Sequence, residues 1–156
     1  MIAKLTYRKA TLDDLSAIIE LILENDEHAQ SRESDNVFEQ VYIDAFHKIN
    51  NDSNHYLMLT ELNSQVVGVC HLTLIPSLSF IDSTRLQIET VRVREKYREH
   101  GVGEWMMRAA INYGIVHGAS IVQLTTNKKR ARAKSFYERL GFEGTHEGMK
   151  LYIKKA

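Results

Sequence analysis

The chain changes hydrophobic rhythm in its middle third, and that change restricts its fold more than any other feature. Between residues 56 and 93 apolar side chains come in short runs separated by turn residues. From residue 101 they recur every three or four positions. Tyr56-Leu57-Met58-Leu59-Thr60 predicts a strand, and Asn63-Ser64 a hairpin turn. Residues 66–75 predict a long strand ended by the chain's single proline, Pro76, and residues 85–93 another. The stretch 101–117 predicts a helix whose one face holds Val102, Trp105, Met106, Ala109, Ala110 and Tyr113. Residues 121–124 return to strand. Hairpins make neighbouring strands antiparallel, while a strand–helix–strand unit makes them parallel, with a right-handed crossover. The expectation is an α/β fold with a mixed, partly antiparallel central sheet and helices on both faces.

The flanks extend this order. Residues 5–8 alternate and predict a first strand. Thr11 is placed to cap a helix whose first turn carries Asp13 and Asp14, which suit the positive end of the helix dipole. Leu12, Leu15, Ile18, Ile19 and Ile22 give that helix one apolar face. Residues 24–36 read as a polar loop, 36–47 as a second helix, 50–54 as a turn and 77–84 as a loop. A helix over 131–140 is stopped by Gly141, and 150–153 predicts a last short strand. With 156 residues and no linker or internal repeat, the expectation is one domain spanning 1–156.

Composition excludes several classes of function. Apolar residues are 44% and charged residues 26%, the globular range. Twenty basic residues balance twenty acidic ones, which argues against a globally basic nucleic-acid binder, as does the lack of interleaved stacking aromatics. Cys70 is the only cysteine, so an intrachain disulfide is impossible and a reducing compartment fits. The opening residues carry no apolar signal core and no apolar run approaches the ~18 residues of a membrane span. The expected protein is therefore cytoplasmic, with neither membrane nor nucleic acid among its partners.

Two stretches carry chemistry. In the first, a strand ending at Val93 runs through a loop to Gly101-Val102-Gly103 at the start of a helix. Helix N-termini present unpartnered amides and partial positive charge, and glycines let an anion approach the backbone. Arg98 adds a guanidinium fork three residues before Gly101. This is neither a dinucleotide fingerprint, because Met106 stands where a third glycine belongs, nor a P-loop, because no Gly-Lys-Ser or Gly-Lys-Thr occurs. On these residues alone a plain strand–helix turn is the commoner reading. In the second stretch, residues 127–134 hold five bases and no acid at the start of the last helix, against the helix dipole. Departures from local rules concentrate at functional sites. A solvated basic helix end and a contact zone for an anionic ligand both remain open here.

The arrangement Arg98-x-x-Gly101-x-Gly103 after a strand resembles the acyl-coenzyme A loop of the GNAT family of N-acetyltransferases. The later stretch Arg130-x-x-Ala133-x-x-Phe136-Tyr137-Glu138-Arg139-Leu140-Gly141-Phe142 is similar to that family's second motif. The resemblance covers residues 66–152 well, and the first ~60 residues only in element order. It implies the GNAT-like acyl-coenzyme A fold, in which the strand ending at Val93 splays from the strand at 121–124. It implies acetyl-coenzyme A as co-substrate. The backbone near Val91, Arg92 and Val93 would take the pantetheine arm and polarise the thioester carbonyl. Glu99, His100, Gly101, Val102 and Gly103 would meet the pyrophosphate beside Arg98. Asn127, Arg130, Ala133 and Phe136 would line the remainder. Two positions depart from the family pattern: Glu99 stands where a small residue is common, and Arg130 where many members carry Asn.

The reaction so implied is acetyl transfer to a primary amine by direct attack in a ternary complex. An alkyl amine of pKa near ~10.4 is only about one part in a thousand neutral at pH 7, so a general base is useful. Glu89, a carboxylate in an otherwise uncharged strand segment, is the candidate, and burial is expected to raise its pKa. Tyr137 is the candidate acid for the leaving thiolate. The seven histidines lack ligand spacing, so no metal is expected; His71 reads as a satisfied core histidine. Cys70 has no visible activating partner, which disfavours a covalent cysteine route. The acceptor is a small-molecule or protein amine, gripped by the first two helices and the loops at 24–36 and 77–84, whose acids Glu24, Asp26, Glu27, Glu33, Asp35 and Asp82 either suit a cationic amine or form an ordinary polar surface. The family resemblance allows a homodimer. The alternative function is a non-catalytic acyl-coenzyme A sensor on the same fold.

Overall fold

The computed structural model describes residues 4–24, 36–79 and 83–154. Among the described residues five strands form one sheet in chain order. They are β1 (Leu5–Lys9), β2 (His55–Leu62), β3 (Gln65–Pro76), β4 (Thr84–Val93) and β5 (Ala119–Gln123). The first four are antiparallel neighbours, and β5 runs parallel to β4. The helices are α1 (Leu15–Leu23), α2 (Asn36–Asn50), α3 (Val102–Val116) and α4 (Ala131–Arg139).

Side chains alternate across a strand, so neighbouring residues serve opposite layers. Leu57, Leu59 and Val69 pack with Ile18 and Leu21 of α1 and Phe46 of α2. Met58, Cys70, Leu72, Leu86 and Ile88 pack with Met106, Met107 and Ala110 of α3. Helices therefore cover both faces, as the sequence predicts. Burying each of these large apolar groups contributes on the order of 1.5–3 kcal/mol. α3 lies very close to the sheet. A Cβ on Gly114 would come within 2.8 Å of Leu86 Cδ2, so glycine is what permits that approach.

The entry to α1 is held electrostatically. The Arg8 guanidinium donates to both Asp14 carboxylate oxygens at 2.7 and 2.8 Å, and to Glu61 Oε1 at 2.9 Å. The Thr11 amide donates to Asp14 Oδ2 at 2.8 Å. Hydrogen bonding from Arg8 holds the Asp14 carboxyl down at about 2.

β4 carries the irregularity that organises the site. Val69 faces Arg92 and His71 faces Glu89, so β3 spends one residue where β4 spends two. Thr90, at φ 55°, sits in this bulge. The bulge reverses the alternation. Ile88 before it and Val91 and Val93 after it all pack toward the α3 layer.

One predicted element is absent. Residues 150–153 form no strand, and Leu151, Tyr152 and Ile153 are exposed. Alternating apolar residues make a strand only where a sheet edge takes their backbone groups, and no strand pairs with this segment among the described residues.

Candidate active site

β4 and β5 stay paired only from Thr84↔Ala119 to Gln87↔Gln123. The last rung is fastened by the Gln123 side-chain amide, which donates to Gln87 Oε1 at 2.7 Å. Beyond it β4 continues to Val93 while β5 ends, which leaves a gap on that side. The Arg94 amide donates to Val67 O of β3 at 2.8 Å. Successive residues of a strand turn their backbone groups to opposite sides. Those of Val93, and of Val91 two residues before it, therefore aim into the gap. Their carbonyls are taken by side chains, Val93 O by Arg98 Nε at 2.9 Å and Val91 O by Arg92 Nη1 at 3.0 Å.

The gap opens into a cleft of about 960 Å³ between β4, the start of α3 and α4. Val91, Val93, Arg98, Glu99, Gly101, Gly103, Arg130, Ala133, Phe136 and Tyr137 line it. Residues from the two sequence motifs, some 30 positions apart, thus share one wall. Gly101, at φ 83°, caps α3 and aims that helix's first amides at the cleft. Phe136 closes over Gly103, where a Cβ would meet its ring at 3.5 Å. Arg98 is anchored rather than loose: beyond its bond to Val93 O, it lies 3.6 Å from Glu24 Oε2.

The other expected residues stand elsewhere. Val102 is buried in the core under α3. His100 is exposed and outside the cleft lining, and so is Asn127, whose Oδ1 accepts from the Lys129 amide at 2.9 Å. Arg92 reaches back to its own strand. Glu24 accepts from the Glu95 amide at 3.2 Å and faces Arg98, so it serves the loop before α3. Asp26, Glu27, Glu33, Asp35 and Asp82 lie outside the described residues. The cleft also contains Arg132, from the basic stretch at 127–134, Arg139 of the second motif, and Ser135, none of which the sequence reading assigned as an individual ligand contact. Their spacing of three and four positions along α4, in register with Phe136, was the signal available.

Glu89 departs from expectation in a different way. It is not a buried carboxylate: its side chain is 54% exposed. It lies on the opposite side of the bulge from Val91, facing His71 Nδ1 at 3.8 Å. Tyr137 is half-buried between Phe136 and Phe142, and burial raises its hydroxyl above the usual tyrosine range. Cys70 is fully buried, and burial pushes its thiol up to about 12. A thiol so raised holds essentially no thiolate at neutral pH and is no nucleophile.

The chain is similar to known proteins in sequence and fold. A family model described as the acetyltransferase (GNAT) family matches residues 15–142. N-acetyltransferase family 8 member 3 of Rattus norvegicus is 26% identical over 106 residues, which is 66% of this chain and 46% of that protein. The chain thus spans about half the length of that relative. Among solved structures, one described as a transcriptional regulator from Bacillus halodurans C-125 is 34% identical with a TM-score of 0.86. That match covers 96% of this chain and 100% of the other. Glucosamine-6-phosphate N-acetyltransferase from Arabidopsis thaliana has a TM-score of 0.76 at 18% identity, covering 97% and 99%, a likeness of fold. A family match over 15–142 spans β4, the gap beside it and the cleft: the chain belongs to the GNAT acetyltransferases.

Proposed function

We propose that this chain, as one domain over 1–156, transfers an acetyl group from acetyl-coenzyme A to a primary amine in the cytoplasm. The observation that carries the reading is the gap between β4 and β5, opening onto a cleft with arginines on two walls. The residues fit the co-substrate. A pyrophosphate suits the amides at the start of α3 beside Arg98. Arg130, Arg132 and Arg139 suit the further phosphate. The Val91 and Val93 amides suit a pantetheine arm laid along β4, and one of them would polarise the carbonyl where negative charge develops.

Acetyl-coenzyme A supplies the activated acyl group, and the chain handles two protons. Glu89 and Tyr137 flank β4 from opposite sides, the one on the side open to an acceptor and the other in the cleft that suits the thioester. Glu89 takes the proton of the incoming amine, and its exposure leaves it reachable by an acceptor. Tyr137 protonates the leaving thiolate. Burial keeps its hydroxyl protonated at neutral pH, so the acid form is always loaded. With Cys70 disarmed, direct attack is the route that remains to these residues.

The acceptor is a small-molecule or protein amine, without nucleic acid or membrane among the partners. The protein named as acting on glucosamine-6-phosphate supports a small-molecule acceptor. Homodimer formation belongs to the same proposal. Met149, Leu151 and Ile153, each nine-tenths exposed or more, are apolar side chains that a second copy could cover. The test is thiol release from acetyl-coenzyme A across a panel containing glucosamine-6-phosphate, spermidine and a lysine peptide. Turnover that is lost in Glu89→Gln and Tyr137→Phe supports the reading. A second reading, a non-catalytic acyl-coenzyme A sensor, is favoured by the 34% identical neighbour described as a transcriptional regulator. It predicts binding without turnover, unchanged by either substitution.

A further inference from the structure

Register brings four titratable groups into a line on the α1/α2 face of the sheet. His71 of β3 stands opposite Glu89 of β4 on one side and Leu57 of β2 on the other. His55, two positions before Leu57, shares that face. His55 Nδ1 and His71 Nε2 are 2.8 Å apart. Beyond His71, its Nδ1 is 3.8 Å from Glu89 Oε1. Beyond His55, its Nε2 is 3.8 Å from Asp52 Oδ2. The side chains are 54% exposed at Glu89, 12% at His71, 28% at His55 and 49% at Asp52. The line is wet at both ends and dry in the middle. Thr73 Oγ1 lies 3.3 Å from His55 Nδ1 and steadies that ring.

Counting protons shows what such a line can do. It has three junctions, carboxylate to ring, ring to ring and ring to carboxylate, each satisfied by one N–H. Two neutral imidazoles supply two. The ring–ring junction at 2.8 Å is filled, so one carboxylate junction stays empty until a proton arrives. Burial lowers His71 below the usual histidine range, Glu89 opposes this and His55 adds to it, so the ring is neutral and able to accept. The 3.8 Å junctions are one bridging water or a small side-chain rotation from contact.

We propose that His71 and His55 are a proton relay, carrying the amine proton from Glu89 across β3 and β2 to Asp52 and bulk water. The proposal rests on the reading of Glu89 as base. In the step, the amine lone pair forms the new C–N bond, and the C–S pair leaves on sulfur and takes the Tyr137 proton. The amine N–H breaks, its electrons stay on nitrogen and the proton goes to Glu89. Glu89 passes it to His71 Nδ1, the proton on His71 Nε2 moves to His55 Nδ1, and the proton on His55 Nε2 leaves through Asp52. One proton enters the line and one departs, and exchange with water returns each ring to its starting tautomer and a proton to Tyr137. A bound acceptor covers the open side of Glu89, and the histidine side then remains as its exit.

Two readouts on the full chain test this. Nitrogen-15 NMR of the ring nitrogens needs no acceptor. The relay expects His71 protonated on Nε2 and bare on Nδ1 at neutral pH, with its titration displaced further downward in Glu89→Gln. His71 already carrying its proton on Nδ1, or titrating identically in Glu89→Gln, overturns it. Kinetics with the best panel amine gives the second readout. His71→Asn and the more exposed His55→Gln are expected to lose about ten- to a hundredfold in kcat with the KM for acetyl-coenzyme A kept. Millimolar imidazole, a diffusible proton carrier, restores them and does not restore Glu89→Gln. Full kcat in both histidine variants beside a dead Glu89→Gln overturns the relay and spares the base. Full kcat in Glu89→Gln removes the base and the relay with it.

Discussion

The two sides of β4 were built by different kinds of information. On the cleft side, Arg98, Gly101, Gly103, Arg130, Ala133, Phe136 and Tyr137 come from two contiguous stretches, each on one loop–helix unit. On the other side, Asp52, His55, His71 and Glu89 come from one turn and three strands, and only antiparallel register joins them. The first side is polar with a purpose visible in spacing: glycines and arginines at a helix start. The second has no spacing to see. Chemistry held by one local element leaves a motif; chemistry held by a sheet leaves scattered residues.

Breaking the cleft side should give the largest effects. Tyr137→Phe is expected to lower kcat by about a hundredfold or more, with little change in melting temperature. The sign of its pH dependence follows from the raised hydroxyl. The acid form persists above the ordinary tyrosine range, so wild-type kcat falls only as pH rises through that elevated value, and the phenylalanine variant has no such limb. A pH profile of thiol release measures both. Arg98→Ala removes the guanidinium between Val93 O and Glu24, and should weaken acetyl-coenzyme A by about tenfold or more by titration calorimetry.

Two further changes sharpen the contrast by touching neither side's chemistry. Gly114→Ala drives a methyl against Leu86 and is expected to cost about 1–3 kcal/mol by urea unfolding, leaving KM in place. The smallest effect is at acid pH. Asp14 is held from 3.8 to about 2, and at 1.36 kcal/mol per unit that is roughly 2 kcal/mol. Solvent around the 40% exposed Arg8 reduces it to about 1 kcal/mol. A depressed carboxyl stabilises above its unfolded value and loses that contribution as pH falls from about 4 to 2. Asp14→Asn should flatten that part of the stability profile measured by circular dichroism.

Most of the fold was legible because its elements are separated by period. The alternation of residues 66–75 and the helical spacing of Val102, Met106 and Ala110 read correctly, since each buries one face of one element. The strand expected at 150–153 failed because alternation does not reveal whether an edge is there to pair with. The site divides similarly. Gly103 and Phe136 line the cleft, while Val102 lies on the helix face that packs into the core with Met106 and Ala110. The bulge at Thr90 left no mark in composition, yet it decides that Glu89 and Val91 face apart. His71 read as a satisfied core histidine, but the partner that satisfies it was not legible, because it lies sixteen residues away across a hairpin.

The most direct measurement is the melting temperature of the full chain with and without millimolar acetyl-coenzyme A, in parallel with Arg98→Ala. The cleft predicts a clear rise for the wild type, since ligand at a hundred times Kd stabilises by about 2.7 kcal/mol, and a smaller rise for the variant. A wild-type melting temperature that does not move would contradict the assignment of this cleft to the acyl-coenzyme A ligand.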